Sequence, residues 1–257
     1  TGGTSGGMAV MNRYGATIEV VASGAKYHTW SDWSLTITNG APIGDPEQET
    51  NYITVPGRSN LLDASEALTG DVVFKGRPIN MQMAICGNPL MFDHVVSQIR
   101  NKVDGRKVKI TFDNDRSHYW LGRINVKENA RTARLGTFTL SAYVDAYKHE
   151  AASSQEKLKW DDMNFLTDCL RYIGTITVTN SYTLVIPKGD HAVVPVIRVS
   201  NITSQTFSMS VVGTGTAYTL VSGANRFPEL KVCGDEDVTL SFGGSAKVTV
   251  DYRGESL

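Results

Sequence analysis

The side chains that could bind a metal or carry catalysis lie far apart in this 257-residue sequence. No histidine follows another at a spacing of two, three or four residues, the spacings that align ligands on a strand or helix. The cysteines include no Cys-x-x-Cys pair. These residues are His28, His94, His118, His149 and His191, and Cys86, Cys169 and Cys233. We predict no metal site, no cofactor, and reduced, buried thiols.

Two acidic clusters contain side chains that could bind a metal ion or carry catalysis. Asp113-Asn114-Asp115 has the alternating oxygens that begin a calcium loop, but the residues that follow supply neither the glycine nor the distal glutamate. We predict a hairpin turn there, and a solvated loop at Asp235-Glu236-Asp237. A pair of catalytic carboxylates meets only in the fold, and no feature of the sequence nominates one.

The sequence contains no convincing motif for nucleotide binding or for a catalytic nucleophile. The sequence contains neither a G-x-x-x-x-G-K-[ST] phosphate loop nor G-x-G-x-x-G. Gly3-Thr4-Ser5-Gly6-Gly7 matches G-x-S-x-G, a pattern that needs a strand before it and a helix after it. We interpret residues 1–7 as a cloning remnant ahead of a natural start at Met8. The expected protein is not an enzyme.

Composition bounds the class of protein. With 41% hydrophobic and 20% charged residues, a packed core is expected. The net charge of −1 gives no strong attraction to nucleic acid or to an anionic membrane. No apolar run reaches the roughly 18 residues of a membrane-spanning segment. We therefore predict no specific nucleic-acid binding and no membrane insertion.

Apolar and polar residues alternate with period two over most of the chain, which is typical of half-buried strands. Residues 107–112 and 118–126 flank the acidic turn and predict a hairpin, and residues 136–144 predict a third strand beside it. One helix interrupts this pattern, with Asn88 as its cap, Pro89 in its first turn and Gly105 as its stop. Its apolar face comprises Phe92, Val95, Val96, Ile99 and Val103.

The second half of the chain reads differently. Residues 148–160 are polar and small, which predicts a linker, and residues 163–173 predict a short helix. Seven short strands separated by turn residues then predict a β-sandwich. They span residues 175–179, 182–186, 193–199, 207–211, 218–221, 238–242 and 248–252. We divide the chain into an N-terminal β domain over residues 8–150 and the sandwich over residues 151–257.

The stretch from Val55 to Ile79 is similar to no catalytic motif. Pro56-Gly57-Arg58, Leu62-Asp63 and Glu66-Ala67-Leu68-Thr69-Gly70 resemble the central signature of distal tail proteins, the baseplate hub of long-tailed, non-contractile bacteriophages. Arg77 lies in a segment that resembles the "N-R-x-I" strand of that family. Further pieces follow in the family's order: His28-Thr29-Trp30-Ser31-Asp32-Trp33-Ser34-Leu35, Asp104-Gly105-Arg106, Tyr119-Trp120-Leu121-Gly122-Arg123, Ala146-Tyr147-Lys148 and Tyr252-Arg253-Gly254-Glu255-Ser256-Leu257. Ser59-Asn60 and Ala146 depart from the family's usual residues.

The resemblance implies a mainly β chain, with an N-terminal split-β-barrel-like domain carrying one helix and a C-terminal galectin-like β-sandwich. It also implies a homo-hexameric ring in the virion, at the distal end of the tail tube, assembled in the host cytoplasm around a channel for DNA. The implied partners are the major tail tube protein, a tail-associated lysin or spike protein, and receptor-binding or baseplate proteins. We expect Pro56, Gly57, Arg58 and Arg77 at the ring or tube interface.

Two other functions stay open at this stage. A galectin-like sandwich also fits a carbohydrate-binding module for adhesion to the host surface, because exposed tryptophans stack on sugar rings. The candidates for such stacking are Trp30, Trp33, Trp120 and Trp160. A cell-wall hydrolase is the third alternative, without a nominated catalytic pair.

Overall fold

The chain is mainly β, as the sequence predicts. A computed structural model describes residues 14–39, 42–67, 70, 72–85, 91–131, 136–157, 170–233 and 236–257, with the side chains of 128–131 excepted. Contacts between Cα atoms divide the chain into two compact units. The first holds Thr1–Asn114 and Leu121–Ala146, and the second holds Asp115–Trp120 and Tyr147–Leu257. The proposed natural start at Met8 lies outside the described residues.

Eleven strands and two helices are described up to the end of the first unit. In chain order they are β1 (Ala16–Val20), β2 (Lys26–His28), α1 (Thr29–Trp33), β3 (Leu35–Ile37), β4 (Glu47–Gln48), β5 (Tyr52–Ile53), β6 (Leu62–Asp63), β7 (Phe74–Lys75), β8 (Arg77–Ile85), α2 (Phe92–Val103), β9 (Lys107–Phe112), β10 (Asp115–Arg131) and β11 (Gly136–Val144). Ten further strands complete the second unit: β12 (Lys148–Glu150), β13 (Thr175–Val178), β14 (Ser181–Ile186), β15 (Val196–Ser200), β16 (Ser208–Val211), β17 (Ala217–Thr219), β18 (Gly223–Arg226), β19 (Val238–Gly243), β20 (Ala246–Asp251) and β21 (Glu255–Ser256).

Seven strands of the first unit form one sheet in the order β2-β1-β9-β10-β11-β8-β3. The predicted hairpin is confirmed as β9 and β10, which Asp113 and Asn114 join in a two-residue turn. The predicted third strand is confirmed as β11, which pairs antiparallel with both β10 and β8. Buried residues alternate with more exposed ones along β1 and through most of β8 and β11, so one face of the sheet forms a core and the other is more exposed.

The predicted helix face packs against this sheet. Phe92, Val96, Ile99 and Val103 are buried, and the rings of Phe92 and Phe138 on β11 meet edge to face with centroids 6.2 Å apart. Val95 on the predicted face is only partly buried. The predicted cap at Asn88 and Pro89 lies outside the described residues. In the structure the capping position before α2 is Met91, which makes no side-chain capping bond.

A second helix in the first unit corrects the prediction of a single helix there. The five-residue α1 is capped by His28, whose Nδ1 accepts the N–H of Ser31 at 3.2 Å, while the carboxylate of Asp32 accepts the N–H of His28 at 2.7 Å. Because Nδ1 accepts, Nε2 carries the proton and donates to Asp113 at 3.1 Å. These local bonds stabilise α1 without the apolar periodicity that a longer helix would show. Hydrophobic spacing in the sequence therefore does not predict this helix.

The second unit contains the predicted sandwich. Two four-stranded antiparallel sheets, β13-β20-β15-β18 and β14-β19-β16-β17, share one core. All seven predicted strands are present there, with ends that shift by a few residues. Strand β18 was missed because its inward side chain is polar. Asn225 is only 7% exposed, and its amide donates to the carbonyls of Ile197 and Val221.

The predicted linker is wrong as far as the structure describes it. Residues 148–150 form β12, and Ser154 is fully buried, with its hydroxyl donating to the carbonyl of Val250 at 2.7 Å. Small polar residues here satisfy backbone groups of the sandwich and do not form a solvated connection. Residues 170–173 are not helical, and the remainder of the helix predicted over 163–173 lies outside the described residues.

Charged side chains hold β12 between the first residues of β10 and strand β21. The Glu150 carboxylate accepts from Nε of Arg171 at 2.8 Å, and Arg253 donates to the Glu150 carbonyl at 2.9 Å. Asp115 accepts from His118 at 2.8 Å and from Lys148 at 3.0 Å. Burial alone would raise the pKa of the Asp115 carboxyl, but these two hydrogen bonds hold that pKa well below its usual range.

This depressed pKa predicts an acid-sensitive contribution to stability. The carboxyl of Asp115 is charged in the folded chain at pH values where the unfolded chain protonates it. Its contribution is therefore complete above about pH 4 and is lost as the pH falls toward the folded-state pKa. We expect Asp115→Asn to lower the free energy of unfolding by about 1–2 kcal/mol at pH 7. Urea denaturation at pH 7 and pH 3 should show this difference shrinking in acid; a constant difference would contradict it.

Candidate assembly interface

Residues 45–67 form an exposed hairpin, here called the arm. At its root, β4 pairs with β7, and the Lys75 ammonium lies 3.2 Å from the Glu47 carboxylate. Further out, β5 pairs with β6. Every residue of the arm is exposed except Val55, Ala64 and Ser65, which are partly buried. The arm thus adds almost nothing to the core of its own unit.

The tip of the arm is Pro56-Gly57, the start of the segment that resembles the central signature of distal tail proteins. Arg58 donates its backbone N–H to the carbonyl of Val55 at 3.1 Å, which closes a four-residue turn. Pro56 occupies the second position, and Gly57 has a φ of +82° at the third. This is the geometry of a type II turn, in which proline presets the first corner and the second requires glycine. Pro56, Gly57 and Arg58 are therefore displayed together at the exposed end of the hairpin.

Local hydrogen bonds give the arm a defined shape. Ser65 accepts the N–H of Asn51 at 2.9 Å and donates its own N–H to the carboxylate of Asp63 at 3.0 Å. The hydroxyl and N–H of Ser65 together lower the pKa of the Asp63 carboxyl. A short two-stranded ribbon is marginal alone, and these side-chain bonds add to its few ladder bonds.

The surface of the arm combines apolar and acidic side chains. Tyr52, Ile53, Leu61 and Leu62 are 56, 45, 58 and 40% exposed. Ile53 lies opposite Leu62 in the ladder, so these two side chains share one face. The arm also carries five carboxylates and one cation, namely Asp45, Glu47, Glu49, Asp63, Glu66 and Arg58. Large apolar side chains held in water on a hairpin are typical of a protein-binding surface.

Arg77 belongs to a different environment from the arm tip. It is the first residue of β8 and is only 6% exposed. Its Nε and Nη2 both donate to the carbonyl oxygen of Ala146, at 2.9 and 2.7 Å. Burial lowers the pKa of its guanidinium, and the nearby Asp45 carboxylate opposes that shift. The structure therefore does not bring Arg77 together with Arg58 on one surface, and the two bonds of Arg77 to Ala146 lie inside the unit.

An exposed tyrosine lies at the root of the arm. Tyr143 on β11 is 62% exposed and pairs with Pro78 on β8. A side chain at Gly76, which joins β7 to β8, would lie 2.7 Å from the ring of Tyr143 and 2.6 Å from the carbonyl of Val144. Glycine at this position lets the ring lie against the backbone. Sequence reasoning missed Tyr143, because an outward aromatic residue on a sheet is visible only once the register is known.

The other residues weighed for chemistry are dispersed within the described part of the chain. No group of three or more histidine, cysteine, aspartate or glutamate side chains there has an arrangement that would hold a metal ion. The longest described helix, α2, has 12 residues, and none of the described helices meets the length and hydropathy of a membrane span. Trp33 and Trp120 are buried at 3 and 5% exposure, so neither offers a stacking surface to sugars. Trp160, Cys86 and Cys169 lie outside the described residues.

Comparison with known proteins yields a match at the level of structure alone. No family model matches this sequence, and no curated protein matches it. The chain is similar to the crystal structure of the SPP1 Dit (gp 19.1) protein, whose title presents it as a paradigm of the hub adsorption apparatus in phages infecting Gram-positive bacteria. The TM-score is 0.57 at 12% sequence identity, and the match covers 94% of this chain and 99% of that one.

Coverage of both chains nearly end to end means that the likeness extends across both units. At 12% identity it is a likeness of fold. The resemblance to distal tail proteins that the sequence motifs indicate is thereby confirmed for the fold: this chain has the mainly β fold of the SPP1 Dit protein.

Proposed function

We propose that this chain is a structural hub subunit of a phage tail, and not an enzyme. The observation that carries the proposal is the agreement of fold along the whole chain with a phage hub protein. Fold alone does not fix function, and the exposed arm adds an independent reason. A hairpin with four large apolar side chains in water has no role in its own core and is suited to assembly.

The proposed assembly is a homo-hexameric ring at the distal end of the tail tube, in the virion, assembled in the host cytoplasm. The first unit forms the ring around a channel for DNA, and the second unit is the galectin-like β-sandwich. The ring meets the major tail tube protein on one side and a tail-associated lysin or spike protein on the other. Receptor-binding or baseplate proteins attach to the hub. The proposed role requires neither specific nucleic-acid binding nor membrane insertion.

Pro56, Gly57 and Arg58 are the proposed ring or tube contacts. They lie at the exposed turn of the arm, and arginine is one of the residues that most often anchors protein interfaces. Arg77 supports that contact from within, because its bonds to Ala146 hold the start of β8, which follows the β7 strand at the root of the arm. Arg58 is therefore proposed as a contact residue and Arg77 as a supporting residue, although the sequence resemblance implies one interface for both.

Charge reversal at the two arginines tests the division. Arg77→Glu places a carboxylate against the carbonyl of Ala146 in a buried site, and we expect a loss of about 3 kcal/mol or more in the free energy of unfolding. Arg58→Glu, the same substitution at an exposed turn, should change that free energy by less than about 0.5 kcal/mol while weakening binding to the tail tube protein. Urea denaturation and light scattering measure the two effects. A stable Arg77→Glu protein that fails to assemble would make Arg77 a contact residue instead.

The ring itself is tested by mass in solution, followed by negative-stain imaging of the same fraction. We expect a species of six times the 28.0 kDa chain mass, with six-fold symmetry and a central opening. If the chain is monomeric, it should form the ring when tail tube protein is added as a template. A monomer that ignores the tube and binds glycans on an array would favour the carbohydrate-binding alternative.

A further inference from the structure

The solvent side of the first unit's sheet carries a cluster of cations. Lys107 and Lys109 on β9, and Arg123 and Lys127 on β10, occupy outward positions, because residues between them, such as Val108, Ile110 and Ile124, are buried. The basic face is the name used here for these four residues together with three rows of residues that cross β10, β11 and β8. Glu19 on β1 pairs with Lys109 at 3.4 Å and with Lys26 at 3.2 Å. Lys107, Arg123 and Lys127 make no ion pair within the described part of the chain.

The strand register arranges the centre of the basic face in three rows. In the first, Arg123 lies opposite Tyr143, which lies opposite Pro78. The other rows are Asn125–Ser141–Asn80 and Lys127–Thr139–Gln82. None of these nine positions is acidic, and most are exposed. The rows therefore form a polar, cationic surface with one apolar end at Tyr143 and Pro78.

The arm is the chemical complement of this surface. It bears five carboxylates against the single cation Arg58, together with four exposed apolar side chains. The arm and the basic face are both exposed in one copy of the chain, so the arm does not cover the basic face of its own copy. A pair of complementary surfaces at different places on one chain produces a head-to-tail contact, which closes into a ring when the rotation allows.

We propose that the acidic arm of one copy docks on the basic face of the next copy. The inference rests on the proposed ring function and names the surface that receives the arm. Lys107, Arg123 and Lys127 attract the carboxylates of the arm, and Tyr143 with Pro78 provides apolar contact for its exposed side chains. Both partner surfaces belong to the same chain, so a ring of identical copies satisfies every arm and every face.

A charge-swap experiment tests this pairing directly. The arm variant carries Glu49→Lys and Glu66→Lys, and the face variant carries Lys107→Glu and Lys127→Glu; all four positions are exposed. Each variant alone meets like charges at its contact, and we expect its self-association to weaken at least about tenfold in sedimentation at 150 mM salt. An equimolar mixture restores opposite charges at every contact. We expect it to assemble to within about threefold of the wild type, with the variants alternating around the ring.

A matched control carries Arg226→Glu and Lys247→Glu, which make the same change in charge at exposed positions on β18 and β20 of the other unit. We expect this control to self-associate like the wild type. Circular dichroism of every variant establishes that it is folded before association is measured. Raising the salt concentration should weaken the wild type and the mixture alike, because exposed charge pairs are screened.

The remaining outcomes separate this inference from the proposed function. Wild-type rings that tolerate both variants would overturn the pairing and leave the hub intact, with other surfaces forming the ring. If each variant loses assembly and the mixture does not recover it, the pairing is overturned, because the arm and the basic face then bind different partners. A wild type monomeric at every soluble concentration would also overturn it, while co-assembly with tube protein still tests the hub. Salt-sensitive retention of duplex DNA by the basic face, without recovery on mixing, would assign nucleic acid as its occupant.

Discussion

Two hydrogen bonds from the buried guanidinium of Arg77 hold the start of β8, next to the root of the arm. Arg77 follows β7 by two residues, and its donors fix the carbonyl of Ala146 at the end of the first unit. A buried charge is tolerated when its donors are satisfied, and the fork of arginine can give two of them to one oxygen. The arm itself has few contacts with the core. Its direction therefore depends on the root, where β7 leads into β8 of the large sheet.

The first unit separates its charges. Five carboxylates lie on the arm and four cations lie on the solvent side of the sheet, so the net charge of −1 for the whole chain does not reveal these two charged surfaces. A balanced total charge excludes a strong field around the whole chain, but it does not describe local surfaces. Separated opposite charges favour head-to-tail contact between copies over a contact of each surface with itself, because like charges would then meet.

The second unit uses polar side chains where the sequence indicated flexibility. Ser154 and Asn225 are buried and donate hydrogen bonds to backbone carbonyls. The Glu150 carboxylate accepts from Arg171, and the Glu150 carbonyl accepts from Arg253 near the end of the chain. Each satisfies a partner that would otherwise be buried without a hydrogen bond. A polar residue in sequence is therefore ambiguous: it is exposed in most positions and structural in a few. The predicted linker and the missed strand β18 both arise from that ambiguity.

The sequence alone determined ten of the strands, the main helix face, the Pro-Gly turn and the mainly β class. These follow from short-range physics: period-two burial, helical spacing, and the φ angles that proline and glycine prefer. Only the tertiary structure decided that Arg58 is exposed while Arg77 is buried, and that Tyr143, Arg123 and Pro78 form one row. Such relations depend on strand register and on contacts between residues far apart in sequence, and a one-residue shift in register would move every side chain of a strand to the opposite face.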